Sequence, residues 1–122
     1  MVTVPGFLLR RLYVKQSLKS TGEGFEFNLK NGLGSGYAYK MQPLTADGEE
    51  IALDSTTFSL EDGKEMKFSD VSKENTFTLA MNKTLTIRAV GTKLEPGAHK
   101  IKMGFDVPGL GTLRFDFTDM VK

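Results

Sequence analysis

A single histidine, His99, is the residue in this sequence best suited by type to move protons near neutral pH. It follows the Pro96-Gly97 turn in the stretch LEPGAHKIKMGFDV, which runs from Leu94 to Val107. A Ser-His-Asp triad needs a histidine within reach of a nucleophile and oriented by a carboxylate. Nothing near His99 resembles a nucleophile elbow, and one histidine is a poor start for a transition-metal site. His99 therefore reads as the opening residue of a strand, its ring capping the end of the fold or hydrogen-bonding a loop carbonyl.

The carboxylate clusters give little more. ADGEE (residues 46–50) and EDGKE (residues 61–65) each set acids around a glycine. Neither supplies the alternating oxygen ligands of a calcium loop, and hairpin turns explain both. GLGSG and GLGTL echo phosphate loops, but neither carries the P-loop lysine or leads into a helix. This chain alone is expected to hold no catalytic, cofactor-binding or metal-binding residue. Contact residues are easier to nominate. Tyr37 and Tyr39, in the glycine-rich stretch Lys30 to Met41, would share a strand face and offer stacking platforms. Phe7, Leu8 and Leu9 form a continuous apolar run in what reads as a first strand. That strand is either covered on both faces, as by another chain, or bends at a sheet edge.

The elements that must position these residues are strands. GFEFNLK sets Phe25, Phe27 and Leu29 against Glu26, Asn28 and Lys30. TLTIRAV, HKIKMGF and TLRFDFT repeat the two-residue period, with Leu85, Ile87, Ala89, Ile101, Met103, Phe105, Leu113, Phe115 and Phe117 facing inward. Turn signals separate the runs at Gly22-Glu23-Gly24, Asp47-Gly48, Asp62-Gly63, Asn82-Lys83, Pro96-Gly97 and Pro108-Gly109. About eight short strands with frequent turns predict an all-β, antiparallel β-sandwich occupying residues 1–122 as one domain. One helical turn is expected over Ser69 to Asn75, with Ser69 as its N-cap.

Composition narrows the class. A chain of 122 residues can bury a self-sufficient core. It contains no cysteine, so disulfides and thiolate chemistry are excluded. A net charge of +1 without a linear basic run argues against nucleic-acid binding. No apolar stretch reaches membrane-spanning length and the N-terminus does not read as a signal peptide, so a cytoplasmic protein is expected.

The order of motifs resembles that of the small β subunit of bacterial C-glycoside deglycosidases. The matching residues are Ser17-Leu18-Lys19, Gly24 to Phe27, Asp47 to Ile51, and Leu94 to Ile101 with His99 in its turn. The resemblance implies a non-catalytic accessory subunit of a lyase complex in carbohydrate metabolism. Its partner would be a TIM-barrel, sugar-isomerase-like α subunit carrying a divalent metal and the catalytic base for cleavage of a 3-oxo glycoside. The chain departs from that pattern in its glycine-rich loop and in having no tryptophan. The alternatives are a free-standing carbohydrate- or protein-binding sandwich and a homo-oligomer paired through the first strand. A self-contained enzyme is the weakest reading.

Overall fold

The computed structural model describes residues 5–32, 36–60 and 63–122. Among these, twelve strands follow in chain order: β1 Lys19–Ser20, β2 Gly24–Lys30, β3 Gly36–Ala38, β4 Lys40–Met41, β5 Thr45–Ala46 and β6 Glu49–Glu50, then β7 Thr56–Ser59, β8 Glu65–Lys67, β9 Phe77–Leu79, β10 Thr84–Val90, β11 Gly97–Val107 and β12 Gly111–Val121. One sheet runs β1-β2-β10-β7-β8, and the other runs β12-β11-β5-β6 with β4 also on β11. A separate ribbon joins β3 to β9. Every pairing is antiparallel.

The period-2 segments became the longest strands because each offers one apolar face to a shared core. In β2 and β10, Phe27 lies opposite Ile87 and Leu29 opposite Leu85. In the β11–β12 hairpin, Ile101 faces Phe117, Met103 faces Phe115 and Phe105 faces Leu113. All these residues are buried. The two sheets meet through them: Phe27 packs edge-on against Phe117 at 5.1 Å between ring centroids. The all-β sandwich is therefore the observed architecture. Burying such side chains contributes roughly 1.5–3 kcal/mol each before entropy is counted.

Turn chemistry follows backbone need. Asp47 and Gly48 both take positive φ, 52° and 86°, in the tight β5–β6 turn. Gly24 is required for another reason. A Cβ there would lie 2.0 Å from the Ala89 carbonyl oxygen, so only glycine lets β2 and β10 close at that end.

Two segments depart from the expected pattern. Residues 6–12 are helical, not a first strand: α1 spans Gly6–Leu9 and a 3-10 turn spans Arg10–Leu12. Leu9, Leu12 and Tyr13 recur at i, i+3 and i+4, and all three are buried against the core. That spacing gives one inward stripe on a helix, whereas a strand would have thrown Leu9 and Leu12 to opposite faces. Further along, the helical turn lies at Phe68–Asp70, with Lys67 at its N-cap position in place of Ser69. Phe68 is buried and anchors it. Downstream, the Ser72 hydroxyl accepts from the backbone N–H groups of Glu74 and Asn75, forming a serine turn instead of a further helical one. Among the described residues no helix is long and apolar enough to cross a membrane.

Candidate functional site

β11 opens at Gly97, and its alternation carries His99 to the end of the hairpin. There the imidazole has two short contacts. Nδ1 lies 2.6 Å from Asp47 Oδ2, and Nε2 lies 2.6 Å from the Glu95 carbonyl oxygen. Both partners are acceptors, so this geometry favours the imidazolium, which donates through both ring nitrogens. The bond to Asp47, and then that to the Glu95 carbonyl, raise the His99 pKa. Asp47 responds in the opposite sense. Its pKa is lowered by the His99 bond first and by the Lys100 backbone N–H second, 2.9 Å from Oδ1. A ring donating through both nitrogens has no lone pair left to take a proton or bind a metal. As placed, His99 fastens the β5–β6 turn to β11.

A second cluster was not legible as a site in the sequence. The Tyr13 hydroxyl donates to Asp119 Oδ2 at 2.7 Å and accepts from the Leu18 backbone N–H at 3.0 Å. The same carboxylate oxygen accepts from the Gln16 backbone N–H at 2.7 Å, while Oδ1 accepts from the Met120 N–H at 2.8 Å. The Tyr13 ring stacks on Phe117 with 3.6 Å between centroids and 9° between planes. Burial, followed by the bond to Asp119, pushes the Tyr13 pKa up to about 12. The Tyr13 hydroxyl in turn lowers the Asp119 pKa. Tyr13 and Asp119 stand at the two ends of the chain, and no local motif joins them.

The nominated contact residues separate into two places. Phe7 is 63% exposed and Leu8 half-buried on α1, whereas Leu9 is only 4% exposed and belongs to the chain's own core. Tyr37 is exposed and Tyr39 half-buried, with buried Ala38 between them. Together with Lys73 and Pro108 they line an open depression of about 400 Å³. Lys73 Nζ stands 6.0 Å from the centre of the Tyr39 ring, at the limit of a cation–π contact. A larger apolar depression, about 550 Å³, lies among Phe58, Leu60, Met66 and Leu85. Among the described residues no group of three or more His, Cys, Asp or Glu side chains could hold a metal ion. The EDGKE turn lies partly outside the described residues, at 61–62.

Comparison with known proteins corrects the resemblance drawn from motif order. No curated protein matches the chain. The family model for the N-terminal domain of hydroxymethylglutaryl-CoA reductase matches residues 8–122. The C-glycoside deglycosidase assignment is thereby overturned, together with the lyase role and the alternative of a free-standing binding module. The reason is physical. Asp47-Gly48 makes a hairpin, Pro96-Gly97 opens a strand, and Gly24 permits a close strand approach. Any antiparallel sandwich needs such features, so their order reports architecture and not family. With that assignment gone, the TIM-barrel partner and its metal lose the resemblance that implied them. The match spans nearly the whole sequence, and this chain belongs to the hydroxymethylglutaryl-CoA reductase N-terminal domain family.

Proposed function

We propose that this chain acts as a non-catalytic β domain serving a hydroxymethylglutaryl-CoA reductase, with the reducing chemistry carried by a separate catalytic domain. The observation that carries this reading is the family match over residues 8–122. The side-chain geometry is consistent with it. Reducing an acyl thioester needs a hydride donor and an acid for the developing oxyanion. Two titratable side chains drawn into short hydrogen bonds are committed within the fold, His99 to Asp47 and the Glu95 carbonyl, and Tyr13 to Asp119. Both act as fasteners within the sandwich.

The test pairs an activity assay with an association assay. The isolated chain, given hydroxymethylglutaryl-CoA and a reduced nicotinamide, should show no turnover. Mixed with a hydroxymethylglutaryl-CoA reductase catalytic domain from the same organism, it should co-elute and change kcat or KM. Turnover by the isolated chain that His99→Gln abolishes would overturn the non-catalytic assignment. Separate elution with unchanged kinetics would overturn the reductase role.

A further inference from the structure

We propose that the outer face of the β11–β12 hairpin holds a cradle for a small anion bearing phosphate or carboxylate groups. Cross-strand register builds it. Lys102 lies opposite Asp116 on one side and Thr45 on the other, and Gly104 lies opposite Arg114 in the next outward-facing row. Directly paired residues share a face of the sheet. A depression of about 320 Å³ lies there, lined by Pro43, Thr45, Lys102, Gly104, Arg114 and Asp116.

Three features point to an anion. First, among the described residues neither Lys102 nor Arg114 has a carboxylate within ion-pair distance. Asp116, the acid beside them, is already engaged by Arg10 through Oδ1 at 3.3 Å and through its own carbonyl at 2.7 Å. Two cations without an ion-pair partner among the described residues therefore line one hollow. Second, Gly104 gives the hollow a bare floor. A Cβ there would come within 3.1 Å of Arg114 Cγ and 3.3 Å of the Leu113 carbonyl oxygen, so glycine lets the arginine stem lie across the sheet. Third, Thr45 Oγ1 is shielded from solvent and has no hydrogen-bond partner. A buried hydroxyl left unsatisfied is costly, and a turn of the Thr45 side chain toward the hollow would let a ligand oxygen complete it. An arginine fork, a lysine and a hydroxyl form a donor set that suits phosphate and carboxylate oxygens. The small hollow and the adjoining Asp106 and Asp116 carboxylates disfavour an extended polyanion such as nucleic acid. The cradle does not depend on the reductase reading.

The full chain, labelled with nitrogen-15, would be titrated with inorganic pyrophosphate and separately with citrate at low ionic strength. Saturable shifts confined to the amides of residues 45, 102–104 and 114–116 are expected with at least one probe, and the responding probe identifies the anion chemistry. The Lys102→Gln, Arg114→Gln double variant should bind at least ten times more weakly while its spectrum stays folded; Lys73→Gln should bind as the parent does. Should the double variant lose its fold, Lys102→Gln alone should still weaken binding several-fold. Thr45→Val should weaken binding about threefold. Shifts that never saturate and spread over all lysines would overturn the cradle, as would full affinity in the charge variants. Unchanged affinity with a raised melting temperature in Thr45→Val would remove the hydroxyl from it.

Discussion

The Asp47 and Asp119 carboxylates do the same job with different donors. Each accepts a short bond from a ring and another from a backbone N–H, and each ties a loop to the β11–β12 hairpin. Each also steadies a non-glycine residue of positive φ, Asp47 itself at 52° and Gln16 at 68°. They are even neighbours, because His99 lies opposite Asp119 in the hairpin register. The donors divide them. A phenol remains protonated throughout the physiological range, whereas an imidazole titrates inside it. One fastener is therefore permanent and the other conditional on pH.

The largest effect expected is at the permanent fastener. Tyr13→Ala removes a ring stacked on Phe117 and packed edge-on to Phe27, and leaves the Leu18 N–H and Asp119 without their partner. A loss of about 3–5 kcal/mol is expected by urea unfolding, in the range of large-to-small aromatic substitutions. Tyr13→Phe keeps the ring and removes only the hydroxyl, so about 1–2 kcal/mol should go. If the two variants proved equally unstable, the hydroxyl network and not the stack would carry the anchor.

The next contrast lies between the acids. Asp119→Asn should cost about 1–2 kcal/mol, because three donors converge on that carboxylate. Asp47→Asn should cost about 1 kcal/mol, since asparagine tolerates the positive φ and can still accept from the Lys100 N–H. Thermal melts at pH 6 would rank them. A larger loss at Asp47 would mean that the conditional fastener is the stronger of the two.

Parts of this contrast were readable in the sequence and parts were not. The strands β2, β10, β11 and β12 are long enough for alternation to appear, and their inward residues are the ones that the period places inside. Strands of two or three residues, such as β4, β5 and β6, are too short to show a period and exist through pairing with long neighbours. The N-terminal helix was hidden by the apolar run Phe7-Leu8-Leu9, which masks the helical spacing of Leu9, Leu12 and Tyr13. His99 could be found as a lone residue type, but its partner lies 52 positions away, and Tyr13 and Asp119 are 106 apart. Only hairpin register brings them together. The same holds for Lys102, Arg114 and Thr45, each of which reads in sequence as one more solvated strand position.

The pH response separates the fasteners without mutating their packing. His99 has a folded pKa raised above its unfolded value, so its contribution is complete below about 6.5 and is lost as pH rises through the folded pKa. Asp47, with its folded pKa lowered, contributes above about 4 and loses that contribution as acid protonates it. Their bond is therefore strongest between those limits. Tyr13, raised to about 12, keeps its proton and its contribution until strong alkali. The groups facing His99 are Asp47 from the β5–β6 turn, Glu95 before the strand and Asp119 across the hairpin; the bond to Asp47 and then that to the Glu95 carbonyl favour the charged ring. The stability gap between the parent and His99→Gln, about 1 kcal/mol at pH 6, should narrow as pH rises through the folded His99 pKa. The gap between the parent and Tyr13→Phe should stay level over the same range. Parallel gaps would show that His99 does not work as imidazolium.

The smallest expected effect tests whether the neighbours are independent. No hydrogen bond joins His99 to Asp119, although they face each other across the register. The short His99–Asp47 bond already satisfies Nδ1. A double-mutant cycle between His99→Gln and Tyr13→Phe should therefore give a coupling of no more than about 0.5 kcal/mol at pH 6. Since Tyr13 and His99 share no carboxylate, a coupling above about 1 kcal/mol would make the two fasteners a single network, with Asp119 as its bridge. In that case the coupling should itself fade as pH rises through the folded His99 pKa and the imidazolium charge is lost.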